Sequence, residues 1–170
     1  MANSKIAIQS VIVPPEVKLQ LENGVFSASG AKGKVQKKLA MRGLEMSLKN
    51  GKVEIKGGLR EATTASKHII NMIEGCKNGY SQKMKVIHAH FPMSLEIKGK
   101  TVVIKNFIGE RKPRVANIAG DTKVDVKGAD IVVSGPSKDD MTQTVANLRI
   151  ATKIKVHDSR VFQDGIYPID

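Results

Sequence analysis

The sequence predicts an α+β protein built as two tandem duplicated domains, each a mostly antiparallel β-sheet packed with one α-helix. Three observations carry this expectation. Short segments place apolar residues at every second position and are joined by glycine-bearing turns, the pattern of β-hairpins. Two longer segments instead repeat apolar residues at i, i+3 and i+4, the pattern of a helix with one buried stripe. The hairpin-then-helix order occurs twice, at a constant offset of 78 residues.

The repeat can be followed residue by residue. Residues 46–57 and 124–135 align without a gap, with Leu48 on Val126, Lys49 on Lys127, Val53 on Ile131, Ile55 on Val133 and Gly57 on Gly135. The first helix is expected over about Leu59–Lys77, with Leu59, Ala62, Ser66, Ile69, Ile70, Ile73 and Cys76 on one face and a stop near Gly75 and Gly79. The second is expected over about Lys138–Thr152, striped by Met141, Val145 and Leu148. Ser137 is its expected N-cap, with Asp140 three residues on as an acidic analogue of a capping box.

Upstream of each unit lies another hairpin. The first is Val17–Leu21, an Asn23-Gly24 turn and Val25–Ser29; the second is Leu95–Ile97, a Gly99-Lys100 turn and Thr101–Lys105. Any two strand-strand-helix units look somewhat alike, but ungapped agreement through hairpin and helix favours true duplication. The join falls near Ser81–Met84, so the expected domains are 1–82 and 83–170. After the second helix, Thr152–Lys155 reads as a short basic strand and Arg160–Tyr167 as a turn-rich tail.

Charge narrows the function. The 170 residues carry 28 Lys and Arg against 16 Asp and Glu, a net +12. The excess is shared: residues 1–82 have 13 basic and 6 acidic side chains, and residues 83–170 have 15 and 10. Such a surface attracts phosphate polymers or anionic lipid. No apolar stretch approaches the roughly 20 residues that span a bilayer, and the Ile6–Val13 run, ending at Pro14-Pro15, does not read as a signal peptide. Nucleic acid is therefore the expected partner. The lone Cys76 excludes an internal disulfide and fits a reducing cytosol. Four Phe, two Tyr and no Trp weigh against base stacking as the main binding mode and favour contacts to phosphates, sugars and helix shape.

Several clusters fit that chemistry, each with a plainer alternative. Lys32, Lys34, Lys37 and Lys38 follow Gly30 and Gly33, where backbone amides and ammonium groups can approach phosphate; the same residues suit a solvated hairpin edge. Arg111, Lys112 and Arg114 surround Pro113, which stiffens a loop able to present two guanidiniums bidentately; otherwise this is an exposed charged turn. Ser137 and Lys138 open the second helix, where unpaired N–H groups favour anions, although Asp139 and Asp140 follow at once. Gln143 and Asn147 share one helix face and suit either RNA contact or solvent. His88 and His90 alternate as strand neighbours, but no acidic or Cys cluster accompanies them, so no metal site is expected. No nucleophile, paired-acid, zinc or dinucleotide motif is present, and neither an enzyme nor a cofactor is expected.

Four segments carry a resemblance: His90-Phe-Pro92, Asn106-Phe-Ile-Gly-Glu-Arg-Lys-Pro-Arg114, Gln143-Thr-Val-Ala-Asn147 and Arg160-Val-Phe-Gln-Asp-Gly-Ile-Tyr167. With these, nearly the whole chain resembles the L-six family of large-subunit ribosomal proteins, in its archaeal and eukaryotic branch. The Tyr-Lys-Gly-Lys-Gly ending of the bacterial branch is absent. The resemblance implies a cytoplasmic, ribosome-bound protein that binds large-subunit rRNA near the sarcin-ricin loop and stalk base. Neighbouring ribosomal proteins of the stalk base and translational GTPases would lie nearby. It also implies that the second domain is the anchor, with Ser137, Lys138, Gln143, Asn147, Lys153, Lys155, Arg160, Gln163 and Asp164 approaching RNA. Lys105, Arg111, Lys112, Arg114 and Arg149 complete the candidate set. Two other classes share parts of the pattern: an RNA-binding adaptor free in the cytosol, and a small enzyme acting on phosphorylated substrates.

Overall fold

The computed structural model describes residues 6–22, 24–39, 43–49, 51–155, 158 and 160–169, with backbone alone for 6, 7 and 49. Asn23 of the expected Asn-Gly turn lies outside the described residues. The chain divides into two compact units, Met1–Gly79 and Tyr80–Asp170.

The first unit contains β1 (Ile6–Ile12), β2 (Lys18–Glu22), β3 (Val25–Gly30), β4 (Gly33–Lys38), β5 (Glu45–Lys49), β6 (Lys52–Gly58) and α1 (Leu59–Lys77). These strands form two antiparallel sheets, ordered β1-β6-β5 and β2-β3-β4. The second unit contains β7 (Tyr80–Ile87), β8 (Ser94–Lys98), β9 (Thr101–Lys105), a 3-10 turn over Phe107–Gly109, β10 (Arg114–Asn117), β11 (Lys123–Lys127), β12 (Asp130–Gly135), α2 (Lys138–Ala151) and β13 (Gly165–Ile169). Its sheets are β10-β9-β8 and β11-β12-β7-β13, again antiparallel throughout. The duplication is therefore topological as well as textual. β1, β6 and β5 correspond to β7, β12 and β11, and the second hairpin sheet repeats the first.

β1 and β7 had no clear signal in the sequence, and each is the partner strand of the repeated hairpin. β1 pairs along β6 from Ile6 opposite Gly58 to Ile12 opposite Lys52. β7 pairs along β12 from Tyr80 opposite Gly135 to Asp130 opposite Lys85. Residues 80–82, which the repeat alone groups with the first half, thus form ladder bonds in the second.

α1 buries Ala62, Ala65, Ser66, Ile69, Met72, Ile73 and Cys76 against the Phe26, Ala28, Val53 and Ile55 core. Leu59, expected on that stripe, opens the helix directly after β6 and is 58% exposed. The helix ends where Asn78 and Gly79 donate their N–H groups to Glu74 and Gly75, with Gly79 at φ +74°, a conformation that glycine adopts without a Cβ clash. The buried carbonyl of Cys76 then accepts the Lys32 N–H at 3.0 Å. This contact explains Gly30. A Cβ there would lie 2.6 Å from the Cys76 carbonyl oxygen. The glycine of the basic cluster serves the approach of the β3–β4 hairpin to the helix end, and Lys37 Nζ lies 2.9 Å from His68 Nδ1 on that helix. The Cys76 thiol is buried in the same place, which pushes its pKa up and leaves it protonated and unreactive.

α2 begins as expected: Ser137 Oγ accepts the Asp140 N–H at 3.3 Å. Met141, Thr144 and Leu148 face a core of Met84, Val102, Ile104, Phe107, Ile131, Val133 and Ile166. Two expectations for the C-terminal segment are corrected. Thr152–Lys155 is not a strand and joins no ladder. The strand is β13, within residues read as a turn-rich tail and just beyond. It takes the open edge of β7, drives Ile166 into the core, and tolerates Pro168 because an edge strand need not donate on both sides. The Ile166 N–H donates to Thr152 Oγ1 at 3.1 Å, joining the new strand to the end of α2.

Gly30→Ala should cost about 1–3 kcal/mol, as overpacking against backbone does, and thermal unfolding of the full chain would show the loss as a lowered Tm.

Candidate nucleic-acid interface

Arg114 organises the candidate site. From the start of β10, its Nε and Nη2 donate to the Glu110 carboxylate at 2.8 and 2.5 Å. Its Nη1 donates to the carbonyls of Ala151 and Lys153, at 2.9 and 3.0 Å. The guanidinium lies 4.2 Å from the Phe107 ring centroid. The Ala151 carbonyl is among those a helix leaves unpaired at its negative end, and the Lys153 carbonyl follows just beyond it, so a cation there is favoured. Arg114 is thus occupied within the protein and is not offered to phosphate bidentately, contrary to the reading of the loop as two presented guanidiniums. Its role is to hold the 110–114 loop beside the exit of α2.

The loop carries backbone strain. Asn106 and Ile108 have φ of +58° and +49°, unusual for non-glycine residues and most so for a β-branched one. Asn106 Nδ2 donates to the Pro92 carbonyl at 3.0 Å, which helps hold the turn. Arg111 and Lys112 project from this pinned loop and are exposed.

Asp164 forms a second fixed point. It is fully buried. Its carboxylate accepts the Ala89 N–H at 2.9 Å and the His90 N–H at 3.3 Å, and it lies 3.3 Å from His90 Nδ1. Burial opposes the charge, but the Ala89 amide and the His90 ring and amide outweigh it and hold the carboxyl below the usual aspartate range. The Asp164 carboxylate is therefore engaged inside the protein, with Ala89 and His90 as its partners. It fastens the C-terminal segment to the loop after β7. His88 and His90 sit beyond the end of that strand, and His90 stacks on Phe162 with ring centroids 4.5 Å apart.

The remaining candidates divide in two. Asn147 donates to the Asn117 carbonyl at 2.8 Å and accepts from Gln143 at 2.9 Å, so its amide braces β10 against α2. Ser137 is spent on its cap. Lys105 is exposed but paired with Glu96, whose carboxyl the ammonium holds below its ordinary pKa. In contrast, Lys138, Arg149, Lys153, Lys155, Arg160 and Gln163 are exposed. Lys138 Nζ lies 5.7 Å from the Tyr80 ring centroid. Arg160 stands on a turn in which its N–H and those of Val161 and Phe162 all donate to Asp158. Among the described residues, no three His, Cys, Asp or Glu side chains cluster as metal ligands, and no helix is long and apolar enough to cross a membrane.

Fold and site together define a basic scaffold protein: exposed cations on loops that are pinned from within. Comparison with known proteins gives the family. The family described as "Ribosomal protein L6" matches residues 91–165. The "Large ribosomal subunit protein uL6" of Methanosarcina mazei is 42% identical over 165 residues, 94% of each chain. That of Thermoplasma volcanium is 44% identical over 163 residues, 92% of each. That of Archaeoglobus fulgidus is 42% identical over 168 residues, covering 92% of this chain and 86% of its own. The chain belongs to the uL6 family, whose members are structural proteins and not enzymes.

Asp164 links stability to pH. Its folded pKa is lowered, so its contribution is present above the ordinary aspartate value of about 3.9 and is lost as pH falls through the folded value. Asp164→Asn should cost about 1.5–3 kcal/mol at neutral pH, as expected for hydrogen bonds to a charged group. The difference from wild type should close in acid; a gap in Tm that stays constant down to acid pH would refute the role given to this carboxylate.

Proposed function

We propose that this chain is a structural constituent of the large subunit of the cytoplasmic ribosome and that its second half, residues 83–170, anchors it to large-subunit rRNA. The reading places the anchor near the sarcin-ricin loop and stalk base, where the protein braces the region at which translational GTPases dock. The first half, residues 1–82, then faces neighbouring ribosomal proteins of the stalk base. The observation that carries the reading is the Arg114 clamp. One internal guanidinium fixes the loop bearing Arg111 and Lys112 to the segment bearing Lys153 and Lys155. Four exposed cations are thereby held by two tied segments at little entropic cost on binding.

The chemistry is physical throughout. Lys and Arg displace counterions condensed on the RNA, so affinity falls steeply with salt. Backbone and polar contacts set the register. Duplex regions would be met through the shallow minor groove and its 2′-hydroxyls. Membership in a family of large-subunit proteins supports this reading over a cytosolic adaptor, and sedimentation of cell lysate separates the two: a ribosomal protein travels with the large subunit.

The triple variant Lys153→Ala, Lys155→Ala, Arg160→Ala should bind deproteinised large-subunit rRNA more weakly. The slope of log affinity against log salt should fall by about 2–3, given roughly 0.7–0.9 per lost phosphate contact. Filter binding across a salt series measures this, and an unchanged slope would remove the segment from the interface.

A further inference from the structure

A groove of about 650 Å³ lies in the second unit between the C-terminal half of α2 and β13. Its walls are apolar, with Ile150, Ile154, Phe162 and Tyr167 among them, and Arg149 and Lys153 stand in the same lining. No Asp or Glu belongs to that lining among the described residues. Ile150 is 64% exposed and Tyr167 38%, so this is a large apolar surface left open to solvent. The chain has only six Phe and Tyr residues, and two of them line this one groove.

Both aromatic rings are held in place. The Phe162 ring stacks on His90, which Asp164 fixes in turn. The Tyr167 ring lies against the bare backbone of Gly165: a Cβ there would meet its Cε2, Cζ and hydroxyl at 3.0–3.2 Å. The glycine of the Asp-Gly-Ile-Tyr run thus has a stated use, as the floor on which the tyrosine rests.

We propose that this groove receives one unpaired nucleotide of the RNA, its base against the Phe162 and Tyr167 side of the groove and its flanking phosphates on Arg149 and Lys153. The inference rests on the rRNA-binding reading above and adds a base-specific element to what is otherwise phosphate contact. Rigid rings beside cations, without carboxylates, match a base joined to phosphates. The volume lies in the range of small-ligand sites, about 300–1,000 Å³, which suits a nucleotide better than a peptide helix.

The test uses the full chain with deproteinised archaeal large-subunit rRNA. Base-edge chemical footprinting and ultraviolet crosslinking read out the complex for wild type, Tyr167→Leu and Ile150→Glu. Ile150 is a surface residue of α2, so its replacement leaves the core untouched. One unpaired base is expected to become protected and to crosslink to Phe162 or Tyr167. Each variant should lose that protection and bind about 5- to 100-fold more weakly, in line with the loss of one base–aromatic stack. Tyr167→Leu removes no charge and should leave the salt slope unchanged. If wild type binds with its normal salt slope but both variants match it in footprint and affinity, the groove proposal fails and the RNA reading stands. If wild type does not bind the rRNA at all, the RNA reading itself fails and takes the groove with it. In intact large subunits, a crosslink from the groove to an acidic peptide instead of a nucleotide also overturns the proposal.

Discussion

The second unit depends on what happens at the C-terminal end of α2. A helix end leaves carbonyls without partners and a partial negative charge, and water cannot serve both needs at a crowded junction. Arg114 answers with one planar group. Its Nε–Nη2 edge grips Glu110, its Nη1 amino group reaches the Ala151 and Lys153 carbonyls, and its face covers Phe107. Thr152 completes the junction by accepting the Ile166 N–H. From these contacts follow the direction of the 152–155 segment, the place of β13 and the shape of the groove beside it. A lysine could not substitute here, because a point charge lacks both the fork and the stacking face.

The duplicated scaffold makes the asymmetry of the halves informative. Each unit repeats the same two three-stranded arrangements and the same helix. The second alone adds β13 to the outer edge of its larger sheet, beside β7. That added strand, with Asp164 and the turn at Arg160–Phe162 before it, carries the features that distinguish the second unit. The end of α1 shows the contrast. There the helix carbonyl is met by a backbone N–H of the β3–β4 hairpin, at a point where only glycine allows the approach. The two units thus solve one physical problem, the unsatisfied helix end, in different ways.

Much of the architecture was legible. Alternation and glycine turns located β2, β3, β5, β6, β8, β9, β11 and β12, and the i, i+3, i+4 stripes located both helices to within a residue or so of their ends. β1, β4, β7, β10 and β13 were not read as strands, because each owes its conformation to pairing with an edge supplied from elsewhere. The site was legible only as a list. Residue type and family resemblance selected Arg114, Asn147 and Asp164 along with the exposed cations. Nothing local to Asp164 reveals that its carboxylate is buried against amides some 75 positions earlier in the chain.

The sequence by itself determined the charge, the absence of a catalytic motif, the repeat and the family. These depend on composition and on spacing along the chain, which folding does not alter. Only the tertiary structure decided which polar residues are spent inside and which remain for a partner. That division depends on which backbone groups are left unpaired when strands and helices meet, and the chain cannot specify it one segment at a time.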